Sequence, residues 1–412
     1  MTGAAARRWL AILGIGEDGV EGLSAAARGL ISGAELVVGG ARHLALADEL
    51  IRGERLAWPT PLADAIPTIC ARRGRPVAVL ASGDPLCYGI GSALLRHVPV
   101  AETLCLPAPS AFSLACARLG WALQDTATIS FCGRPLEPLA PLLQPGARIL
   151  ALSADAATPA ALASFLSRRG YGRSVLHLLE ALGGVNERQR STIADAFTFN
   201  DVQALNLVAI EVVAGPDARV IPLAAGLADE AFEHDGQITK REIRAVTLSS
   251  LAPRCGELLW DVGCGSGSIA VEWMLRHPAN RAIAIDGKSD RAARAARNAA
   301  ALGVPSLQVI TGTAPAALAG LPAPDAVFVG GGAHDLAVVD AAWQALKPGG
   351  RLVANGLTVE TEAVLIEARA RLGGTLIRLS VERLDRIGRL HGYRPAMTVT
   401  QWAAVKPEGG RS

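Results

Sequence analysis

The sequence predicts an α/β protein of two domains, and three observations carry that expectation. Short apolar runs alternate with helix-like segments rich in Ala and Leu, the pattern of strands and helices laid down in turn. Glycine-bearing loops of two different kinds follow apolar runs: Gly14-Ile15-Gly16 near the start, and Gly263-Cys264-Gly265-Ser266-Gly267 past the middle. Between them the stretch from Gly215-Pro216 to Gly226 interrupts the pattern, which then restarts. A chain of 412 residues also exceeds one ordinary core. The expected domains are 1-220 and 226-412.

In the first domain the expected strands are Leu10–Gly14, Leu36–Val38, Val77–Ala81, Arg148–Leu152, Val175–Leu179 and Leu207–Val213. Pro107-Ala108-Pro109 should divide this domain into two lobes, because closely spaced prolines discourage a continuing helix. The second domain opens with a polar helix over Thr239–Leu251. Strand Leu258–Val262, the glycine loop, a helix, strand Ala282–Ile285 and helix Asp290–Leu302 follow. Strands Leu307–Ile310, Ala326–Val329 and Arg351–Ala354 come next, with helices between them. Thr375–Val381 and Met397–Val405 read as extended and are expected to form a terminal hairpin. The two halves carry different glycine motifs, so no internal duplication is expected.

Composition narrows the function. Lys+Arg minus Asp+Glu is 40 − 38 = +2, and aromatics are 4% of residues. Neither a basic field nor a set of stacking platforms favours nucleic acid. Arg7-Arg8 followed by Trp9–Gly14 has the outline of a signal peptide, but the apolar run is short and enters the loop Gly14-Ile15-Gly16-Glu17-Asp18, which reads as a first strand. No apolar stretch approaches a membrane span. The seven cysteines (Cys70, Cys87, Cys105, Cys116, Cys132, Cys255 and Cys264) include no CxxC pair, so no zinc site or disulfide framework is expected. The expectation is a cytoplasmic protein with reduced thiols, no metal and no membrane or nucleic-acid partner.

The strongest local signal is Asp261-Val262-Gly263-Cys264-Gly265-Ser266-Gly267 between a strand and a helix. Alternate glycines let a backbone pass close to a ligand, and the helix N-terminus offers free N–H groups. The third glycine comes one residue too early for a dinucleotide fingerprint. Asp261 would oppose a pyrophosphate and suit an ammonium group. Asp286, at the end of the next strand, is placed to accept ribose hydroxyls. With Lys347-Pro348-Gly349-Gly350 before strand Arg351–Ala354, the set resembles the class I S-adenosylmethionine methyltransferases, which have a Rossmann-like fold.

Ahead of this site stand Asp229-Glu230-Ala231-Phe232-Glu233-His234 and Ile238-Thr239-Lys240-Arg241-Glu242-Ile243-Arg244. They resemble the cobalamin-pathway enzymes that methylate C15 and decarboxylate the C12 acetate of a corrin precursor. The resemblance implies that Thr239 and, in Gly312-Thr313-Ala314-Pro315, Ala314 join Asp261, Gly263, Cys264, Gly265, Ser266, Gly267 and Asp286 around the methyl donor. A Lys240-Arg241-x-x-Arg244 cluster at a cleft edge suits a substrate with many carboxylates, and equally describes a solvated helix face. His334, after Gly330-Gly331-Gly332 at a strand end, reads as a substrate contact or as an exposed loop residue.

The first half carries Val77–Ser82 running into Gly83-Asp84-Pro85, then Pro107-Ala108-Pro109-Ser110-Ala111, Cys132-Gly133-Arg134-Pro135 and Glu180 to Arg188. In order and spacing this resembles the tetrapyrrole methylase family over residues 8–215, and Gly39-Gly40-Ala41-Arg42-His43-Leu44 points to its C5-methylating branch. The resemblance implies two α/β lobes with the methyl donor between them, held by Gly83, Asp84, Pro85, Ser110 and Ala111. Read alone, Asp84 is equally a turn former capping the next helix. Arg134 and Arg188 are candidate substrate contacts. Two departures stand out. Glu17-Asp18 replaces the family's usual Pro-Gly, and Cys132 takes the place of a histidine, where it is expected to be a small packed residue.

Together the resemblances imply a homo-oligomeric fusion with two S-adenosylmethionine sites per chain. Its substrate would be precorrin-6B, converted to precorrin-8 by two methylations and loss of carbon dioxide. Methyl transfer to an enamine-like meso carbon needs positioning and water exclusion more than a strong nucleophile, and no general acid or base is assigned. Two other readings stay open: another methyl acceptor for either half, or an N-terminal half that only carries an unstable intermediate.

Overall fold

The computed structural model describes residues 8–408; Arg7, of the Arg7-Arg8 pair, lies outside the described residues. Contacts divide the chain into two compact units at Arg219–Val220, with the short stretch Glu137–Leu143 grouped with the second.

The first unit begins with β1 (Leu10–Ile15), α1 (Ala25–Ser32), β2 (Leu36–Gly39), α2 (Ala41–Leu46), β3 (Glu54–Ala57), α3 (Ala65–Cys70), β4 (Val77–Ser82), α4 (Gly91–Leu94) and β5 (Thr103–Leu106). Its strands form one parallel sheet in the order β3-β2-β4-β1-β5. Both faces are covered, which is why β1 and β4 are continuous apolar runs rather than alternating ones. Leu10, Ile12, Val77 and Val79 pack into one core, and Ala11, Leu13, Ala78 and Leu80 into the other.

After Pro107-Ala108-Pro109 the chain changes sheets. It continues through α5 (Ala111–Leu119), β6 (Ala127–Ser130), β7 (Arg148–Leu152), α6 (Thr158–Arg168), β8 (Val175–Glu180), β9 (Arg188–Ile193) and β10 (Asn206–Glu211). The order is β6-β7-β10-β8-β9, parallel only between β6 and β7. Ser110 caps α5 by accepting the Ser113 N–H at 3.1 Å, and Gly120 ends it with φ +67°. Phe112, Ala115 and Cys116 of this helix pack on Leu150, Leu179 and Leu207 of the sheet.

The second unit holds α7 (Arg241–Leu251), β11 (Leu258–Val262), α8 (Ser268–Leu275), β12 (Arg281–Asp286), α9 (Ser289–Ala301), β13 (Gln308–Thr311), β14 (Ala326–Val329), α10 (Leu336–Ala345), β15 (Arg351–Gly356), α11 (Val359–Leu372), β16 (Thr375–Leu379), β17 (Glu382–Ile387), β18 (Leu390–Pro395) and β19 (Val399–Val405). Its main sheet runs β13-β12-β11-β14-β15-β19-β16, parallel as far as β15 and antiparallel beyond. Trp260, Trp343 and Trp402 lie in its core. The strand order reverses at β11, where a ligand crevice forms at the carboxyl ends of the strands.

Two expectations need correction. The last two extended segments do pair, but not as a simple hairpin. β19 inserts between β15 and β16, and the intervening chain forms a separate hairpin of β17 and β18. Strands β3, β5, β6, β9, β17 and β18 carry too short or too polar a pattern to announce themselves; β17 is exposed throughout.

The second correction concerns Arg244, read as a substrate contact. Its side chain is fully buried, and its Nε donates to Glu272 Oε1 at 2.6 Å. Its Nη1 reaches Asp229 at 3.2 Å and the Thr239 carbonyl, its Nη2 reaches the Leu227 carbonyl, and the guanidinium lies 4.8 Å from the Phe232 ring centroid. Glu272 also accepts the Gly226 and Leu227 N–H groups at 2.7 and 2.9 Å. One buried ion pair therefore fixes the segment Gly226–Lys240 against α8. Removing one partner strands the other charge in the interior. Glu272→Ala should destabilise the C-terminal unit by about 3–5 kcal/mol in urea unfolding; a loss under about 1 kcal/mol would contradict this account.

Candidate active site

The second unit's crevice, with a volume of about 560 Å³, opens beside the glycine loop. Gly263, Cys264 and Gly265 form one wall, Gly236–Lys240 another, and Gly330–His334 a third. Gly263 takes φ +70°, and a Cβ there would stand 2.5 Å from the Gly331 backbone. Two loops can meet this closely only without side chains. At Gly267, with φ +73°, a Cβ would meet Ala295 of α9 at 2.8 Å.

Asp261 lies buried beneath this loop. Its Oδ2 accepts the Ala270 N–H at 3.0 Å, while Oδ1 is buried without a hydrogen-bond partner. Burial, together with the nearby Asp286 charge, pushes its carboxyl up to about 7. Asp286 holds the crevice floor: Oδ2 accepts the Gly265 N–H and Oδ1 the Lys288 N–H, each at 2.9 Å. The Cys264 thiol is pushed far up by burial and then by Asp261 and Asp286, so it stays protonated and inert.

Of the residues singled out from sequence, Thr239, Lys240, Gly263, Cys264, Gly265 and His334 line the crevice. Ser266, Gly267 and Asp286 stand behind or below it, with the Ser266 carbonyl held by Asn298 Nδ2 at 2.9 Å. Asn298 also exchanges hydrogen bonds with the Glu233 backbone, at 2.8 and 2.9 Å, and so ties the entry segment to the glycine loop. Ala314 is half-buried and packs against the sheet core; its loop joins Asp286, whose carbonyl accepts the Gly312 N–H at 2.9 Å. Arg241 is exposed and outside the lining. Sequence reasoning passed over Gln237, Arg291, Asn355 and Arg383, which line the crevice from four separate segments. Arg383 sits on β17 and pairs with Glu242 at 2.5 Å.

The first unit's crevice, about 480 Å³, lies between its two sheets. Gly83, Asp84, Ser110 and Ala111 line it, and Pro85 is buried behind them. Three segments converge there. The Gly83 N–H donates to the Ile15 carbonyl at 3.1 Å, and the Ala108 N–H to the Gly83 carbonyl at 3.0 Å. A Cβ on Gly14 would fall 1.9 Å from the Gly83 carbonyl oxygen. The Asp84 carboxylate accepts the Leu86 N–H at 2.8 Å, so it shapes its own turn.

Arg134 is exposed, with its guanidinium 5.2 Å from the Tyr88 ring centroid at the crevice edge. Arg188 requires correction as a substrate contact. It is held by Glu180 at 2.7 and 2.8 Å and by Asp201 at 2.7 Å, in a cluster with Arg190 outside the crevice. Cys132 also departs from expectation: it is exposed and lines the crevice, its thiol 3.3 Å from the Ser153 carbonyl. The crevice further contains Arg42, His43 and Ser82, whose side chains are hydrogen-bonded to one another, and Glu17, which forms an ion pair with Arg42. Only the motif Gly39–Leu44 hinted at it.

Among the described residues no helix is long and apolar enough to cross a membrane. Residues 10–197 match the family of tetrapyrrole (corrin/porphyrin) methylases, and residues 230–406 the precorrin methyltransferase domain. The chain is 56% identical over 398 residues to a precorrin-6Y C(5,15)-methyltransferase [decarboxylating] from Sinorhizobium sp, covering 97% of this chain and 96% of that one. Two shorter relatives each align with 43% of this chain. One is a probable cobalt-precorrin-6B C(15)-methyltransferase (decarboxylating) from Pyrobaculum calidifontis, 36% identical over 188 residues and 96% of its length. The other is a cobalt-precorrin-7 C(5)-methyltransferase from Salmonella typhimurium, 35% identical over 182 residues and 88% of its length. Two crevices in one α/β chain, with a relative matched nearly end to end, lead to one conclusion: the chain belongs to the family of precorrin-6Y C(5,15)-methyltransferases (decarboxylating), which are S-adenosylmethionine-dependent.

Proposed function

We propose that the chain converts precorrin-6B to precorrin-8, using two S-adenosylmethionine sites. The domain 1-220 would methylate C5. The domain 226-412 would methylate C15 and decarboxylate the C12 acetate. The observation that carries this reading is the presence of two crevices of unlike build, each within the span of its own family match.

The methyl donor supplies a sulfonium methyl group for transfer to carbon. In the second domain Asp261 fits its positive groups, because a buried carboxylate oxygen lacks a partner under the glycine loop. Asp286 fits ribose hydroxyls, and Gly263 and Gly267 let the loop pack closely enough on Gly331 and Ala295 to keep its backbone in position. Thr239 and Ala314 complete the proposed set. Lys240, Arg291, His334 and Arg383 are the basic side chains of the lining that would meet the substrate's carboxylates. In the first domain Gly83, Asp84, Pro85, Ser110 and Ala111 would hold the second donor, with Arg134 at the rim. The reaction would depend on donor and substrate positioning and water exclusion, because the carbon nucleophile needs no activated protein group.

Product mass after incubation with precorrin-6B and S-adenosylmethionine should show two methyl groups gained and carbon dioxide lost. One methyl with carbon dioxide lost would leave the first domain a carrier, and an unchanged mass would sink the substrate. Calorimetry with S-adenosylhomocysteine should count two sites, and Asp286→Ala should weaken one of them by roughly 10–100-fold while sparing the other.

The raised Asp261 carboxyl gives a pH prediction. Its folded value of about 7 exceeds the ordinary 3.8, so the ligand-free fold loses stability as pH rises from about 4 through 7. A cationic ligand favours the ionised form. Binding of S-adenosylhomocysteine, through its ammonium group, should therefore release on the order of half a proton at pH 7 and strengthen as pH rises through that value. Binding heats in buffers of different ionisation enthalpy measure this release. Asp261→Asn should abolish it.

A further inference from the structure

The reaction proposed for the first domain leaves one step without an agent. When a meso carbon takes a methyl group, its double-bond electrons form the new C–C bond while the C–S bond breaks onto sulfur. The carbon then bears both hydrogen and methyl beside an iminium. Conjugation returns only when that hydrogen leaves as a proton and the C–H electrons fall back into the ring. A base within reach of the carbon must take the proton.

The first crevice holds one cluster suited to this. Ser82 ends β4 directly before Gly83-Asp84, and its hydroxyl is exposed to the crevice. Its Oγ lies 2.8 Å from His43 Nε2 and 2.9 Å from Arg42 Nη2, and Nη2 is also 2.9 Å from His43 Nε2. A guanidinium only donates, so His43 Nε2 must be an acceptor and the imidazole hydrogen sits on Nδ1. Burial, reinforced by the Arg42 charge, depresses the His43 pKa to about 4, so the ring is neutral at pH 7. Nδ1 itself is buried without a hydrogen-bond partner. A fold built only for stability rarely leaves such a group unpaired.

Arg42 completes the arrangement. It is partly exposed and pairs with Glu17, the residue that departs from the family's first loop. While Arg42 faces His43, an imidazolium is disfavoured. A substrate carboxylate engaging Arg42 would cancel that charge and raise the basicity of His43.

We propose that Ser82 and His43 form the proton-accepting relay of the C5 methylation, with Arg42 as a positioning residue that reads a substrate carboxylate. Ser82 Oγ takes the proton from the methylated carbon as its own hydrogen passes to His43 Nε2, and the imidazolium later loses that proton to water. The proposal rests on the C5 chemistry assigned to this domain.

The test uses the full chain, so the second domain serves as an internal control. Ser82→Ala and His43→Gln should each slow C5 methylation by roughly 10²–10⁴-fold. The singly methylated, decarboxylated product should accumulate at its normal rate. Substrate deuterated at C5 should show a primary isotope effect in both variants, and Ser82→Thr, which keeps the hydroxyl, should restore turnover. Independently of turnover, 15N spectra of histidine-labelled protein without ligands should report His43 as the neutral Nδ1–H tautomer at pH 7. Normal C5 methylation in both variants, or a His43 that is cationic at pH 7, would overturn the relay. If the unaltered chain adds no methyl at C5, the domain assignment fails instead, and the histidine spectrum still judges the tautomer.

Discussion

Arg244 and Glu272 meet at 2.6 Å with no solvent on either side chain, and the geometry of the C-terminal crevice rests on that contact. Glu272 belongs to α8, the helix that the glycine loop feeds. The Arg244 guanidinium gathers the carbonyls of Leu227 and Thr239, and Glu272 takes the N–H groups of Gly226 and Leu227. An otherwise irregular segment is thereby satisfied in the interior, where unpaired backbone groups would be costly. Because Thr239 is held from behind, Gly236–Lys240 can form a wall of the crevice. Ion pairs from Glu233 and Asp235 to Arg297, Arg291 and Arg294 of α9 fasten the same segment from outside. They are more exposed and correspondingly weaker.

The two crevices are built by different physics. The C-terminal one lies at the carboxyl edge of a parallel sheet where strand order reverses, with the buried carboxylates Asp261 and Asp286 beneath its glycine loop. Its carboxylates are costly: Asp261 is held in the interior with one oxygen unpaired, which raises its pKa to about 7. The carboxylates that line the N-terminal crevice, Glu17 and Asp84, are half-buried. This crevice is a seam between two sheets of one unit, where Gly14, Gly83 and Ala108 bring three backbones together. Glu17, Arg42, His43 and Ser82 form one cluster in it, apart from Asp84, whose carboxylate shapes its own turn. The proposed donor-positioning and proton-handling residues would then be neighbours at a single strand end.

Charged residues were the hardest to place from sequence, for a physical reason. Lys240, Arg241 and Arg244 follow one another closely, yet their surroundings differ completely. Lys240 lines the crevice, Arg241 is exposed, and Arg244 is buried. Helical rotation turns successive side chains to different faces, and a long cation goes wherever a carboxylate compensates it. Arg188 likewise has Glu180 and Asp201 as partners, from β8 and from the chain beyond β9, and no local pattern announces that cluster. Conversely, Arg383 lies far from the glycine loop in sequence and reaches the crevice only because β19 inserts between β15 and β16, carrying the intervening hairpin with it.

By itself the sequence determined the local decisions: where apolar runs become strands, where glycines permit positive φ and close approach, and which glycine loop borders a crevice. These are short-range properties, set by side-chain volume, backbone freedom and period. It also carried the family, because the motifs of both halves keep their order and spacing. Tertiary structure alone decided which ionisable groups face a crevice and which are consumed within the fold. It placed β19 inside the sheet and gave Asp261 its raised pKa. It also brought His43 to Ser82 across 39 residues of chain. Those outcomes depend on burial and on partners distant in sequence, and electrostatic energies follow separation in space.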